Sequence, residues 1–143
     1  MQLIIESLLA TMGRVLLGLY FIIPGITKIT GYDATSQYMA DHGIILIPFF
    51  LILTIIIQVG GGLIMVAGYQ TKITAFILGG LTLVISLVMH DFWTMPAGEL
   101  QTGHETQNFV KNMAIMAGLL AMAGLGGGRW SLDARLARAG AAA

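Results

Sequence analysis

The sequence predicts an all-α, four-transmembrane-helix bundle with both termini cytoplasmic. Three observations carry that expectation. Four apolar stretches, Leu3–Ile29, Ile44–Ala67, Ile73–Met89 and Phe109–Leu125, hold most of the 143 residues. The chain is 57% hydrophobic and 10% charged, with a mean hydropathy of +0.86. Runs such as Phe49-Phe50-Leu51-Ile52-Leu53 do not alternate in polarity, which excludes a membrane barrel strand. A water-soluble domain of this size could not hide so much apolar surface, whereas lipid solvates it. Lipid cannot satisfy backbone N–H and C=O groups, so the spans must be helical.

A spanning helix needs about 20 mostly apolar residues. Extending the shorter stretches by a residue or so at each flank, the spans are read as Leu3–Ile29, Ile44–Ala67, Lys72–His90 and Asn108–Gly126. Together they form a single domain over Met1–Ala143. The first lacks a basic leader and is long, so it reads as a retained helix rather than a cleaved signal. Gly31 and the polar run Asp33–Gln37 end it. Gly43 and Pro48 bracket the start of the second, proline being tolerated in a first turn. Gly68-Tyr69-Gln70 turns the chain between spans two and three, Met95-Pro96-Ala97-Gly98 opens the longest loop, and Gly126-Gly127-Gly128 stops the fourth span. Ser131–Arg138 reads as a short amphipathic helix capped by Ser131, followed by a frayed end, Ala139–Ala143.

Orientation follows from lysine and arginine near the span ends. Lys72, Arg129, Arg135 and Arg138 lie on the side of the termini, against Lys28 and Lys111 on the other. That bias places the termini in the cytoplasm and the loops Thr30–Gly43 and His90–Asn108 outside. Formal charges balance, seven basic against seven acidic, and there is no cysteine. These counts argue against a nucleic-acid partner and exclude thiol chemistry and thiolate metal sites within the chain. His42, His90 and His104 share no ligand spacing, and the methionines suit core filling, so no metal site is expected.

On helices of 3.6 residues per turn, polar and small residues form one stripe per span. These are Arg14, Gly18, Phe21, Gly25 and Lys28; Thr54, Gln58, Gly61 and Met65; Gly79, Thr82, Ser86, His90 and Trp93; and Lys111, Ile115, Gly118 and Met122, with Asn112 alongside. Such faces favour helix contacts in lipid. Arg14 lies 14 residues below Lys28, and Gln58 lies 14 below Ile44, which predicts that the two meet at one level. Arg14 is there a structural lock, or it snorkels to the cytoplasmic headgroups, or it is a buried cation that binds a ligand carbonyl or anionic group. Glu6, about 12 Å further along the axis, is interfacial. Lys28, His90, Trp93, Lys111 and Asn112 share the outer boundary. They are expected either to anchor their own helices there or to gather over the bundle mouth and hold an anionic or carbonyl-bearing head group.

Several segments resemble the DoxX family of small four-helix membrane proteins. Gly13-Arg14-Val15-Leu16-Leu17-Gly18 followed by Phe21-Ile22-Ile23-Pro24-Gly25-Ile26-Thr27-Lys28-Ile29 resembles the family's first helix. Gly61-Gly62-Leu63 with Gly68 and Thr71-Lys72 resembles its second helix and turn. His90-Asp91-Phe92-Trp93 and Phe109-Val110-Lys111-Asn112-Met113-Ala114-Ile115 resemble its third and fourth. The family often carries glutamate where this chain has Gln58, so an acid–arginine pair would become an amide–arginine contact. The resemblance implies an integral inner (plasma) membrane subunit or accessory protein of an oxidoreductase complex, with a lipid-soluble quinone or lipid near the bundle and no covalent cofactor. Family members are linked to a thiosulfate:quinone oxidoreductase and to a complex that handles oxidative stress. The alternative is a non-catalytic scaffold or assembly chaperone for another membrane protein. Without haem or nucleotide motifs, the chain is not expected to run redox chemistry alone. Its expected partners are membrane lipids and other membrane subunits or further copies of itself.

Overall fold

The computed structural model describes residues 1–141. Ala142 and Ala143, within the end expected to fray, lie outside them; Ala139 and Gly140 belong to the last helix. The described residues form helices α1 (Gln2–Thr30), α2 (Tyr32–Asp41), α3 (Ile47–Ala67), α4 (Thr71–Met89), α5 (Leu100–Leu125) and α6 (Leu132–Gly140). Four of them, α1, α3, α4 with its extension to Thr94, and α5, are long and apolar enough to cross a membrane. They run up, down, up and down. Both described ends of the chain and the α3–α4 turn therefore lie at one pole, the terminal pole. Helix α2 and the α4–α5 connection lie at the other, the loop pole.

Two helical stretches fall where loops were expected. Gly31 ends α1, its N–H donating to the Thr27 carbonyl over 2.9 Å, and its own carbonyl then accepts from Thr35 N–H to start α2. Helix α2 is mostly polar, so apolarity gives no sign of it; it buries Met39 alone. Helix α5 begins at Leu100, eight residues before the expected Asn108. Its first turns are polar, but they bury Glu105 against α4. Helix α3 starts at Ile47 instead of Ile44, because Leu46 takes a left-handed conformation with φ 55° and Pro48 fits the first turn.

The closest helix pairs are α1 with α3 and α4 with α5. A β-carbon on Gly18 would lie 2.7 Å from the Gly62 carbonyl oxygen, and one on Gly62 would lie 2.7 Å from the Gly18 carbonyl. The two backbones touch there, which only glycine permits. Facing helices meet at a small core of Phe21, Met65, Ala75, Leu78 and Leu119. Thr82 and Ser86 are buried on α4 and turn their hydroxyls back to the Leu78 and Thr82 carbonyls, at 2.8 and 2.6 Å. They enter the core with their donors satisfied. The outer faces carry exposed Leu16, Ile23, Ile52, Ile56, Phe76, Val84 and Leu120, a surface that lipid solvates.

Candidate functional site

The loop pole gathers a polar cluster around Glu105, a carboxylate only 3% exposed. His90 Nδ1 lies 2.7 Å from Glu105 Oε2. Gln101 Nε2 donates to Oε1 over 2.7 Å from one turn earlier on α5. The Tyr38 hydroxyl, reaching in from α2, lies 3.1 Å from the Met89 carbonyl and 3.4 Å from Glu105 Oε1. With Nδ1 carrying its proton to the carboxylate, His90 keeps Nε2 free as an acceptor. Burial, then the charge and hydrogen bond of Glu105, and then the charge of Asp91 push the Tyr38 phenol up to about 12. Tyr38 is thus a fixed neutral donor. His42 packs on the Tyr38 ring at 4.4 Å, and its Nε2 lies 4.0 Å from Asp91. A carboxylate out of water is tolerable because protein donors replace its hydration.

Of the five residues expected to gather at this rim, the structure brings only His90 into that cluster. Lys111 is exposed and donates to Asn108 Oδ1 over 2.9 Å. Its neighbour Asn112 is buried and accepts from the Tyr20 hydroxyl over 3.0 Å, tying α5 to α1. Trp93, 53% exposed, packs edge-on against Phe92 and Phe109. Lys28 is half-buried on α1 and has no ion pair among the described residues. The reason is helix phase. The buried stripe of α5 is Glu105, Asn112 and Leu119, spaced by sevens, one position past the stripe drawn through Lys111. A shift of one residue turns a side chain by about 100°. Glu105 and Tyr38 are not legible as site residues, because their polar segments read as loops; the seven-residue spacing of Glu105 and Asn112 is the available signal.

Arg14 and Gln58 are both buried, but they do not meet. Gly25 faces Gln58, at 3.2 Å between a built β-carbon and the Gln58 Cβ, whereas the Arg14 guanidinium lies against Gly68 and Ser131. Arg14 and Gly25 are 11 residues apart on α1, or about 16 Å. The levels were counted from span ends that do not coincide. The Gly18–Gly62 contact sets the stagger, placing Arg14 at the α3–α4 turn and sending the first turns of α3 beyond the end of α1. Gln58 Oε1 is left buried with no hydrogen-bond partner among the described residues, as are Arg14 Nε and Nη1.

Around Arg14 the terminal pole is closed by Asp133 of α6. Its carboxylate accepts from the Gln70 and Thr71 N–H groups, over 2.7 and 2.9 Å, and from the Thr71 hydroxyl over 2.7 Å. Its own N–H donates to the Gly68 carbonyl over 2.9 Å. Asp133 thereby caps the start of α4 from another helix. It also supports Gln70, whose left-handed φ of 46° would otherwise be strained. Burial pushes the Asp133 carboxyl up. The Thr71 and Gln70 donors and the Arg14 charge outweigh that and leave it below the usual carboxylate range. Ser131 caps α6, its hydroxyl accepting from Ala134 N–H over 3.1 Å. Among the described residues no three histidine, aspartate or glutamate side chains converge to hold a metal.

Comparison with known proteins agrees with this architecture. The family model DoxX matches residues 9–91. The inner membrane protein YqjF of Escherichia coli is 34% identical over 130 residues, covering 90% of this chain and 92% of its own. The inner membrane protein YphA of the same organism is 32% identical, covering 91% of each. A Surfeit locus protein 4 homolog from Drosophila melanogaster is 28% identical over 115 residues, covering 72% of this chain and 43% of its own. No solved structure matches. The expected inner membrane location agrees with both bacterial relatives, and the four apolar helices require a bilayer. With the matched segment running from α1 through α4, the chain belongs to the DoxX family of integral membrane proteins.

Proposed function

We propose that this chain is an integral subunit or accessory protein of an inner-membrane oxidoreductase complex, and that its loop pole receives the head group of a quinol. The observation that supports this reading most is the pairing of partly exposed His90 with buried Glu105, 2.7 Å apart, at the outer boundary of an apolar bundle. Oxidation of a quinol releases two electrons and two protons. His90 Nε2 can accept a proton from a quinol hydroxyl, with the resulting imidazolium stabilised by the Glu105 carboxylate behind it. Tyr38 and Gln101 hold that carboxylate in place. The second proton leaves to water at the same boundary. The electrons pass to a redox centre in a partner subunit, since the chain has no cysteine and none of its described residues form a metal-ligand cluster. Lys28, Trp93, Lys111 and Asn112 lie outside the His90–Glu105 cluster and have no part in proton transfer in this reading, and Arg14 and Gln58 are buried polar groups of the bundle. The termini face the cytoplasm.

The test is purification in mild detergent with analysis of co-purifying proteins, flavin, haem and quinone, alongside His90→Ala and Glu105→Gln. The expected result is a cofactor-bearing partner, with quinone content of the complex reduced and its quinol-dependent activity falling about 10²-fold or more in His90→Ala at unchanged expression. A membrane client without cofactors, or unaltered quinone content in both variants, would replace this reading by that of a scaffold or assembly chaperone.

A further inference from the structure

At the terminal pole α1 runs on past the α3–α4 turn. Arg14 is level with Gly68, so Leu3–Ser7 lie about 10–16 Å further along the axis. The chain after α5 folds back over this extension, and Gly128 packs against Ala10, a built β-carbon meeting the Ala10 Cβ at 2.9 Å. Between them opens a cleft of about 310 Å³ lined by Leu3, Ile4, Ser7, Arg129, Trp130 and Arg138. Its wall is apolar and open, Leu3 and Ile4 being 58% and 63% exposed. Its rim is cationic. Arg129 and Arg138 both line it, and the Arg138 guanidinium is anchored through Nη2 to the Arg129 backbone carbonyl over 3.2 Å. Among the described residues no carboxylate lies within 4 Å of either. Asp133, the nearest acid in sequence, is engaged at Thr71 and Gln70.

We propose that this cleft is a binding site for an anionic phospholipid, with the phosphate held by Arg129 and Arg138 and an acyl chain laid along Leu3 and Ile4. Guanidinium groups match phosphate oxygens in pairs and give up hydration more readily than lysine does. Trp130 belongs at the headgroup depth where tryptophan concentrates. A free phosphate would use the arginines and leave the apolar wall wet. A zwitterionic lipid would use the wall but bring its own cation to the two guanidinium groups. Only an anionic lipid satisfies both halves of the cleft, and it would join α1 to the segment that leads into α6. This inference is independent of the redox reading, because it concerns the opposite pole.

The experiment uses the full chain in nanodiscs, with Trp93→Phe so that Trp130 alone fluoresces. Brominated phosphatidylglycerol at low mole fraction should quench Trp130 severalfold more than brominated phosphatidylcholine. In native mass spectrometry, phosphatidylglycerol retention should fall about tenfold in Arg129→Gln/Arg138→Gln. It should hold in Arg135→Gln, whose arginine lies on the same helix outside the cleft. Inorganic phosphate at millimolar concentration should not displace the lipid. Equal quenching by both lipids overturns the proposal, and that arm needs no arginine variant to fold. So does equal loss in Arg135→Gln, which would mean general surface charge, and so does displacement by phosphate alone, which would mean a soluble anion.

Discussion

At the scale of single residues, the tightest approach of a glycine to another segment's backbone among the described residues is Gly18 against Gly62. The obstacle to any side chain at Gly18 is the opposing carbonyl, 2.7 Å from a built β-carbon. Backbone cannot swing aside as a flexible side chain can. Gly18→Leu should therefore force α1 and α3 apart and cost about 1–3 kcal/mol or more, the range for overpacking a dense contact. Gly80→Leu on α4 is the control, since nothing lies within 4 Å of a β-carbon there. Thermal unfolding in detergent should show a clear loss for Gly18→Leu and little change for Gly80→Leu; equal effects would mean that glycine content alone matters. Gly68 is constrained twice, by its φ of 72° and by the Arg14 guanidinium occupying the space of a side chain. The sequence marks Gly18 as a stripe member and Gly68 as a turn residue, and it draws the second span's stripe through Gly61, one position before Gly62. Which ones touch backbone depends on helix stagger.

At the scale of elements, α6 is held by what Asp133 does at the start of α4. Asp133→Ala removes three accepted hydrogen bonds, and losing a helix cap costs about 1–2 kcal/mol. Hydrogen exchange of the α6 amides should accelerate about 5–30-fold, while the core of α4 stays protected. The pH dependence follows from the depressed carboxyl. A group whose folded pKa lies below its unfolded value stabilises the fold above the ordinary carboxylate range, near 3.9, and loses that contribution as pH falls through the folded value. Protection of α6 should thus be level down to about pH 5 and decline below about pH 4, and Asp133→Ala should flatten the profile. A wild-type profile flat to pH 2 would show that the carboxylate does not hold the helix. The capping role of Ser131 on α6 was legible, because a serine before an amphipathic run has a local partner. That of Asp133 was not, since it caps a helix more than 60 residues away in sequence.

At the scale of the whole molecule, the spans imply that α2 and the α4–α5 connection lie on one side of the membrane and the α3–α4 turn on the other. The lysine and arginine bias leads us to expect the turn inside. In cells, a cysteine replacing exposed His104 should label with an impermeant maleimide, and one replacing exposed Gln70 should label only after the membrane is opened. The reverse pattern would invert the orientation and place the His90–Glu105 pair on the cytoplasmic face.

Much of the architecture was readable because lipid makes the rule strict. Long apolar runs must become helices when no water can satisfy the backbone. The stripe Arg14, Gly18, Phe21, Gly25 and Lys28 was legible for the same reason, since a polar or small face in a span has to turn away from lipid; the first four are buried on α1 and Lys28 is half-buried. What the sequence by itself determined is therefore the helical class, the four spans, the family and the inward face of the first helix. The tertiary structure decided the stagger that separates Arg14 from Gln58, the phase of α5 that buries Asn112 and leaves Lys111 outside, and the meeting of Tyr38, His90 and Glu105. Local periodicity sets which way a side chain points around one axis. It carries no information about how far one helix slides along its neighbour, because that distance is set by the Gly18–Gly62 backbone contact between two segments remote in the chain.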